Sequence, residues 1–384
     1  MKTFYNMSKN FFYAVAILVG TIVGAGVFGI PYTIARFGFF PGIFYLFFLG
    51  IIILVLNLCY GEVALRTKKS HYLAGYAELY FGKKWKYPVF LSGGIGLYGA
   101  LTAYLIVIGD FLNTIFSPIF SGTPFIYSMV FFFFCALAIL TGLWTIGKIE
   151  LLMSFILLAV IITISFSGFS QINTQNFFTF DFSQFFLPFG VILFALSGEL
   201  VIPSMENLLE KEKHLLKKAI IWGTAIPIFL YFLFTLIAVG VAGQNITENA
   251  ILGLGNFLGQ KILLLGTIFG TLSITTSFLN IGLTLKRIYI FDFGLNKFFS
   301  WLLTLFVPFF IFLSKAGSFI QIIGITGAIS IGFSGIIIML CYLKAKKNGG
   351  EKPAYSLNVS NPLLYLIITI FGLGIIYQII SLLI

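Results

Sequence analysis

The residues of this sequence best suited to binding chemistry lie at two short interruptions of long apolar segments. Gly26-Val-Phe-Gly-Ile-Pro31 and Gly198-Glu-Leu-Val-Ile-Pro203 share the pattern Gly-x-x-x-Ile-Pro, 172 residues apart. Gly and Pro disfavour an uninterrupted helix, so each segment is predicted to be broken there. A broken membrane helix frees backbone amides, which favour a carboxylate, and carbonyls, which favour an ammonium group or small cation. The two breaks together suit a zwitterion.

Glu199 gives the second break an acidic side chain, and acidic residues within membrane segments are functional candidates. It could take up a coupling proton, pair with a substrate ammonium group, or hydrogen-bond the broken backbone as a structural group. Asp110 could line an external vestibule or serve a structural hydrogen bond. Glu62 precedes Arg66 by one helical turn, which predicts an intrahelical ion pair.

Hydroxyl side chains are concentrated in one later apolar segment, at Ser273, Thr275, Thr276 and Ser277. Such side chains often hydrogen-bond back to their own helix. With carbonyls freed at the first break, they could instead give oxygen ligands to a small hard cation, Na⁺ above all. Tyr98 and Tyr104 are candidate walls of a substrate site.

The composition places these residues in a membrane protein. Of 384 residues, 59% are hydrophobic and 9% are charged, more apolar than a water-soluble core requires. The net charge of +11 does not indicate nucleic acid binding, because the basic residues lie between apolar segments. The only histidines, His71 and His214, lie in loops, and the apolar segments hold no paired acids or metal-ligand cluster. We therefore expect neither an enzyme nor a cofactor, apart from Na⁺ as a coupling ion.

A helix that spans a bilayer needs about 20 apolar residues, and this length predicts eleven spans. They cover about 11–36, 40–66, 87–117, 124–143, 149–168, 186–206, 216–242, 256–288, 297–314, 319–342 and 361–383. They form one transmembrane domain over residues 1–384. A short surface helix is expected between Asn249 and Gln260.

An internal repeat relates these spans. Shifting the first five by 172 residues places them on spans six to ten, and because five is odd, the second copy crosses the membrane in the opposite sense. The prediction is an all-α inverted five-plus-five repeat, about 11–168 and about 186–342, with helices one and six broken. An eleventh helix, about 361–383, follows.

The basic residues predict the orientation. With the N-terminus in the cytoplasm, 20 of the 23 Lys and Arg fall on the cytoplasmic side, and only Arg36, Lys261 and Lys315 fall outside. The positive-inside rule therefore predicts a cytoplasmic N-terminus and an external C-terminus, in the plasma or inner cell membrane. The lipid bilayer is a partner, and the sequence does not indicate an oligomeric state.

At the two breaks the chain resembles the amino acid–polyamine–organocation superfamily of transporters, which have the LeuT-like fold. The stretch from Gly20 to Pro31 is similar to the first-span signature of its hydroxy/aromatic amino acid permeases and amino acid/auxin permeases. The stretch from Phe194 to Glu199 is similar to the family's unwound sixth span, and Gly61-Glu62 fits the end of its second.

The resemblance implies roles for particular residues. Backbone at Gly24, Ala25 and Gly26 would hold a substrate carboxylate. Carbonyls around Phe194 and Ser197, in the unwound stretch that includes Gly198, would receive the amino group, with Tyr104 as a wall. A sodium ion would lie between Gly20 and Val23 on span one and Thr276 and Ser277 on span eight. Some proton-coupled relatives carry a lysine in span five, whereas here Lys148 lies only at its edge. That favours sodium, although Glu199 could serve a proton.

The resulting expectation is a secondary active transporter of neutral amino acids, aromatic ones among them, that works by alternating access with Na⁺ or H⁺. An exchanger or uniporter using the same site, and a transporter-like amino acid sensor, are the alternatives. A channel would show a pore-lining repeat or filter segment, and none is evident.

Overall fold

The computed structural model describes residues 9–68, 71–141, 146–291 and 293–383, with side chains throughout except at 146–155, 157 and 291. Lys2, Lys69 and the side chain of Lys148, which entered the predictions above, lie outside the described residues. The α-helices of the described chain are α1 (Lys9–Ile22), α2 (Gly26–Phe37), α3 (Phe39–Arg66), α4 (Leu73–Phe81), α5 (Lys86–Phe116), α6 (Pro124–Thr141), α7 (Ile146–Phe169), α8 (Leu187–Leu196), α9 (Ile202–Leu208), α10 (Leu216–Ala242), α11 (Ala250–Leu258), α12 (Gln260–Phe291), α13 (Lys297–Leu313), α14 (Phe319–Thr326), α15 (Gly332–Asn348) and α16 (Asn361–Leu383).

Helices of the described chain coincide with the eleven predicted spans. Eight helical stretches are long and apolar enough to cross a bilayer, and α1 with α2 forms a ninth that is bent by 54°. Two shorter apolar helices, Leu158–Phe169 and Lys297–Leu313, fall in predicted spans five and nine.

The helix is interrupted at both predicted breaks, but the first interruption covers residues 23–25, just before the segment Gly26–Pro31 and not within it. α1 ends at Ile22 and α2 begins at Gly26, whereas Pro31 lies inside α2 and does not end it. The second interruption follows α8, with a 3₁₀ turn over Glu199–Val201 before α9. Pro203 occupies the first turn of α9, where a missing amide hydrogen costs no helical bond. The glycines, rather than the prolines, make the breaks.

Three local features differ from the sequence expectation. The loop after α3 contains α4, which was not predicted. The eighth span begins at Gln260 rather than near 256, because Gly259 adopts a positive φ of 86° that ends α11. Between α14 and α15 the helix widens into a π turn over Gly327–Ile331.

The π turn lies where two helices pack backbone against backbone. A Cβ at Gly327 would meet the carbonyl oxygen of Gly190 on α8, and a Cβ at Gly190 would meet the carbonyl oxygen of Gly324. Glycine lets the two backbones touch here, as small residues commonly do between membrane helices. The half-helix α8 is thereby pressed against α14, which fixes the position of the second break.

α10 is the element that holds the first break. Its Gly223 faces α1 so closely that a Cβ there would lie 2.7 Å from Leu18 Cδ2. On α3, Asn57 Nδ2 donates to Thr224 Oγ1 at 3.3 Å. α10 therefore packs against both α1 and α3 beside the breaks.

Candidate functional site

The two breaks meet at Gly26 and Ala195. A Cβ built on Gly26 would lie 2.6 Å from the Cα and 2.8 Å from the Cβ of Ala195, which is nearer than real carbon atoms approach. The start of α2 therefore touches the last turn of α8 through bare backbone. Likewise Gly198 faces α1, where a Cβ would lie 2.7 Å from Leu18 Cδ1 and 2.8 Å from Ile22 Cγ1. Each break packs against the helix that precedes the other.

The first break leaves the N-terminus of α2 without a side-chain cap. Ala25 occupies the cap position and makes no side-chain hydrogen bond, while the Gly24 amide turns back to the Ile22 carbonyl at 2.9 Å. A Cβ at Gly24 would lie 3.4 Å from the hydroxyl oxygen of Tyr104. The structure thus brings Tyr104 of α5 to the glycine that was expected to hold a carboxylate.

The second break is closed by its own side chains. The hydroxyl and amide of Ser197 both donate to the Phe194 carbonyl, at 2.8 and 3.3 Å. A carboxylate oxygen of Glu199 accepts the Gly198 amide at 3.1 Å, and Glu199 is 6% exposed. This hydrogen bond matches the structural one of the three roles considered for Glu199, and the proton and ammonium roles stay predictions. At each break one amide is already bonded, that of Gly198 to the Glu199 carboxylate and that of Gly24 to the Ile22 carbonyl.

Tyr231 on α10 is the site residue that sequence reasoning missed. Its hydroxyl lies 2.7 Å from the Ile22 carbonyl oxygen and 3.0 Å from the Ala195 carbonyl oxygen. These carbonyls belong to the last turns of α1 and α8. Sequence gave little signal, because Tyr231 is one of 18 tyrosines in a chain that also holds 48 phenylalanines.

The hydroxyl residues of span eight bond along their own helix. Thr276 donates to the Ser273 carbonyl at 2.9 Å, and Thr275 donates to the Thr271 carbonyl at 2.7 Å. Among the described residues, no hydrogen bond joins Gly20 or Val23 to Thr276 or Ser277. The sodium ligands therefore stay a prediction.

The other candidate walls have different surroundings. The Tyr98 hydroxyl bonds the Tyr289 hydroxyl and lies 3.1 Å from the Leu303 carbonyl, so it is engaged by α12 and α13. Asp110 is half-buried on α5. It is not among the residues that line the cavity at the far end of α2.

That cavity has a volume of about 800 Å³ and lies around the end of α2 that is remote from the break. Arg36 and Gln244 line it, together with the acidic side chains of Asp181 and Glu248. Glu248 accepts the Ile320 amide at 3.2 Å, which caps the start of α14. The cavity therefore carries both signs of charge.

A second polar cluster lies at the end of α3, around Glu62. Its carboxylate is fully buried and accepts from Arg66 Nε at 2.8 Å and Nη2 at 2.7 Å, which is the intrahelical pair expected. It also accepts from the Ser356 hydroxyl at 3.0 Å and the Leu357 amide at 2.6 Å. Glu62 thus fastens the segment between α15 and α16 onto α3.

Tyr355 adds a neutral bond to this cluster. Its hydroxyl donates to the Leu58 carbonyl at 2.7 Å. Burial, with Cys59 and Glu62 nearby, holds the pKa of this phenol well above its usual value. The hydroxyl therefore stays protonated and remains a donor across the physiological pH range.

Sequence comparison with known proteins identifies the family of this chain. The sequence model of the tryptophan/tyrosine permease family matches residues 7–378. The chain belongs to this family. It is an amino acid permease and not an enzyme.

Curated relatives agree with this assignment. The chain is similar to "Glutamine transporter 2" of Aliivibrio fischeri, with 23% identity over 92% of this chain and 94% of the relative. It is 26% identical to "Tyrosine-specific transport system 1" of Haemophilus influenzae over 70% of each chain. It is 25% identical to the "Tryptophan-specific transport protein" of Shigella flexneri, over 94% of this chain and 92% of the relative.

Solved structures identify the fold. The chain resembles the crystal structure of MhsT in complex with L-phenylalanine, with a TM-score of 0.70 and 14% identity. The match covers 97% of this chain and 98% of MhsT, a transporter with the LeuT fold. The permease therefore has the LeuT-like, all-α membrane fold expected from the sequence.

Proposed function

We propose that this permease is a secondary active transporter that moves neutral amino acids across the plasma membrane by alternating access. The observation that carries the proposal is the meeting of the two breaks, where Gly26 touches Ala195 and the uncapped start of α2 lies beside Tyr104. Amide and carbonyl ends close together suit the two charges of an amino acid.

Neutral side chains fit the residues at the breaks. Tyr104 and Phe194 are apolar or aromatic, and no Lys or Arg is found at either break. An acidic substrate side chain would therefore lack a buried positive partner, which is costly in a membrane interior. The relatives named for glutamine, tyrosine and tryptophan all have substrates with neutral side chains.

We propose that transport is coupled to Na⁺ or H⁺, each through a defined set of residues. Sodium would lie between carbonyls of Gly20 and Val23 and the hydroxyls of Thr276 and Ser277. A proton would be carried by Glu199, the buried acid of the second break. Sodium coupling and proton coupling therefore predict opposite results in one assay.

The test is uptake of labelled L-tryptophan, L-tyrosine and L-glutamine, each alone, into proteoliposomes under a sodium gradient or a pH gradient. Sodium-driven accumulation supports the span-one and span-eight site, and proton-driven accumulation supports Glu199. Exchange of internal for external amino acid without gradient-driven accumulation would replace the symporter with an exchanger. Binding without any flux would favour a sensor.

The same proposal places the N-terminus in the cytoplasm and the C-terminus outside, from the distribution of basic residues. An epitope after Ile384 should then be accessible on intact cells, whereas an epitope before Met1 should need permeabilisation. The reverse pattern would overturn the orientation.

A further inference from the structure

Tyr231 joins the two breaks through one hydroxyl group. The side chain is fully buried, and its oxygen lies within hydrogen-bond distance of the Ile22 and Ala195 carbonyl oxygens. Ile22 is the last residue of α1 and Ala195 the next to last of α8. The hydroxyl therefore lies where the carbonyl ends of both half-helices converge.

These carbonyls are the ones that the breaks leave short of helical partners. The Ala195 carbonyl would be paired with the amide of residue 199 in a continuous helix, but the chain leaves the helix after Leu196. Among the described backbone hydrogen bonds, the Ile22 carbonyl accepts only one, from the Gly24 amide at 2.9 Å in a tight turn. Both ends carry the negative pole of a helix, so together they attract positive charge.

A phenol supplies a single proton, which the two carbonyl oxygens share. We propose that Tyr231 is a positioning residue that holds the two breaks in register and fills, with its hydroxyl proton, the place between them that a cation would otherwise take. The ammonium group of a substrate is then left with the carbonyls beyond this point, around Val23 and Ser197. This inference rests on the proposed function.

The surrounding packing keeps the phenol in place. α10 is pressed onto α1 at Gly223 and Leu18, two turns before Tyr231. Ala195, whose carbonyl Tyr231 bonds, is also the residue that Gly26 touches. Spans one, six and seven therefore meet at Ala195, so a displacement of any one of these spans must also displace the other two.

The informative change is Tyr231→Phe, which removes the hydroxyl and keeps the ring. Tyr342→Phe is the matched control, because Tyr342 is also fully buried and donates to one backbone carbonyl, that of Leu357 at 2.8 Å. Both variants lose a buried phenol that donates to backbone carbonyl oxygen, but only Tyr231→Phe loses it at the breaks.

The first readout is hydrogen exchange of purified protein without substrate. We expect Tyr231→Phe to accelerate exchange about tenfold or more in both stretches at once, 19–28 and 194–203, because one donor serves both. Tyr342→Phe should leave these stretches unchanged. Faster hydrogen exchange in one stretch alone, or in neither, would refute the proposal that Tyr231 links the two breaks.

The second readout is equilibrium binding of labelled L-tryptophan, L-tyrosine and L-glutamine in NaCl, LiCl and N-methylglucamine chloride. Tyr231→Phe should bind about tenfold more weakly in N-methylglucamine and regain affinity in Na⁺ or Li⁺ beyond the wild-type response, since a cation can enter between the bared carbonyls. An equal loss of affinity in all three salts would mean that Tyr231 is only structural. It would refute the proposal that its hydroxyl proton takes the place of a cation. If the wild-type protein binds none of the three amino acids but hydrogen exchange is still faster in both stretches of the variant, the proposed function fails. The link between the breaks through Tyr231 would then still stand.

Discussion

Gly26→Ala tests whether the direct contact of the two breaks is required for binding. The added Cβ would lie 2.6 Å from Ala195 Cα, against about 3.5–4.0 Å for carbon atoms at their optimal separation. Backbone cannot rotate away, so α2 and α8 must move apart by about 1 Å. Overpacking of this kind costs about 1–3 kcal/mol. If binding requires the two breaks at their present spacing, this cost falls on the bound state, and at 1.4 kcal/mol for each tenfold, amino acid affinity should fall about 5- to 150-fold.

The control for this change is Gly93→Ala on α5. Gly93 is helical and an added Cβ meets nothing within 4 Å, so the change should leave binding unchanged and stabilise the helix slightly. The assay is equilibrium binding of the transported amino acid to purified protein, with thermal unfolding in the same detergent. Wild-type affinity in a folded Gly26→Ala protein would refute the importance of the backbone contact and remove the first break from the site.

Three further variants address polar groups within the spans. Glu62→Gln removes the negative charge that pairs with Arg66 and replaces one of the two accepting oxygens by an amide NH₂ group. We expect this to lower the free energy of unfolding by about 3 kcal/mol in thermal unfolding and to speed hydrogen exchange over 351–357. An unchanged melting temperature would contradict the importance of the Glu62 contacts. Glu199→Gln keeps an oxygen acceptor for the Gly198 amide, so the protein should fold and bind amino acid. If H⁺ is the coupling ion, proton-driven accumulation should disappear while amino acid exchange persists. Retained accumulation would exclude Glu199 as the proton carrier. Replacing Thr276 and Ser277 together with Ala should abolish sodium stimulation of uptake if they ligate sodium, and should change stability little because the Thr276 hydroxyl bonds only its own helix.

Features encoded over short stretches of sequence were predictable. Span lengths follow from runs of apolar residues, and the presence of both breaks follows from the repeated Gly-x-x-x-Ile-Pro pattern, although the first break lies just before Gly26. The ion pair of Glu62 and Arg66 follows from their spacing along one helix. Each of these inferences needs only residues within one or two turns of each other.

Features that depend on distant contacts were not predictable. Tyr231 reaches a carbonyl 209 residues away, and Glu62 accepts an amide 295 residues away. The π turn at Gly327 lies against the backbone of Gly190, 137 residues away. The local pattern around these residues is that of any buried tyrosine, acid or glycine, so sequence alone cannot distinguish them.

The two breaks repeat in sequence but differ in chemistry, and we expect this difference to orient the substrate. The start of α2 has no side-chain cap and opens a helix of 12 residues, whereas the second half-helix α9 has seven, and the Glu199 carboxylate takes the Gly198 amide just before it. A substrate carboxylate at the second break would have to compete with the Glu199 carboxyl group for the Gly198 amide. We therefore expect the carboxylate at Gly24, Ala25 and Gly26, with the ammonium group toward Ser197. Amino acid amides, which lack the carboxylate charge, should then lose most of their affinity. Gly24→Ala should weaken binding, because its methyl group would occupy the space between this end and the Tyr104 hydroxyl oxygen, 3.4 Å away.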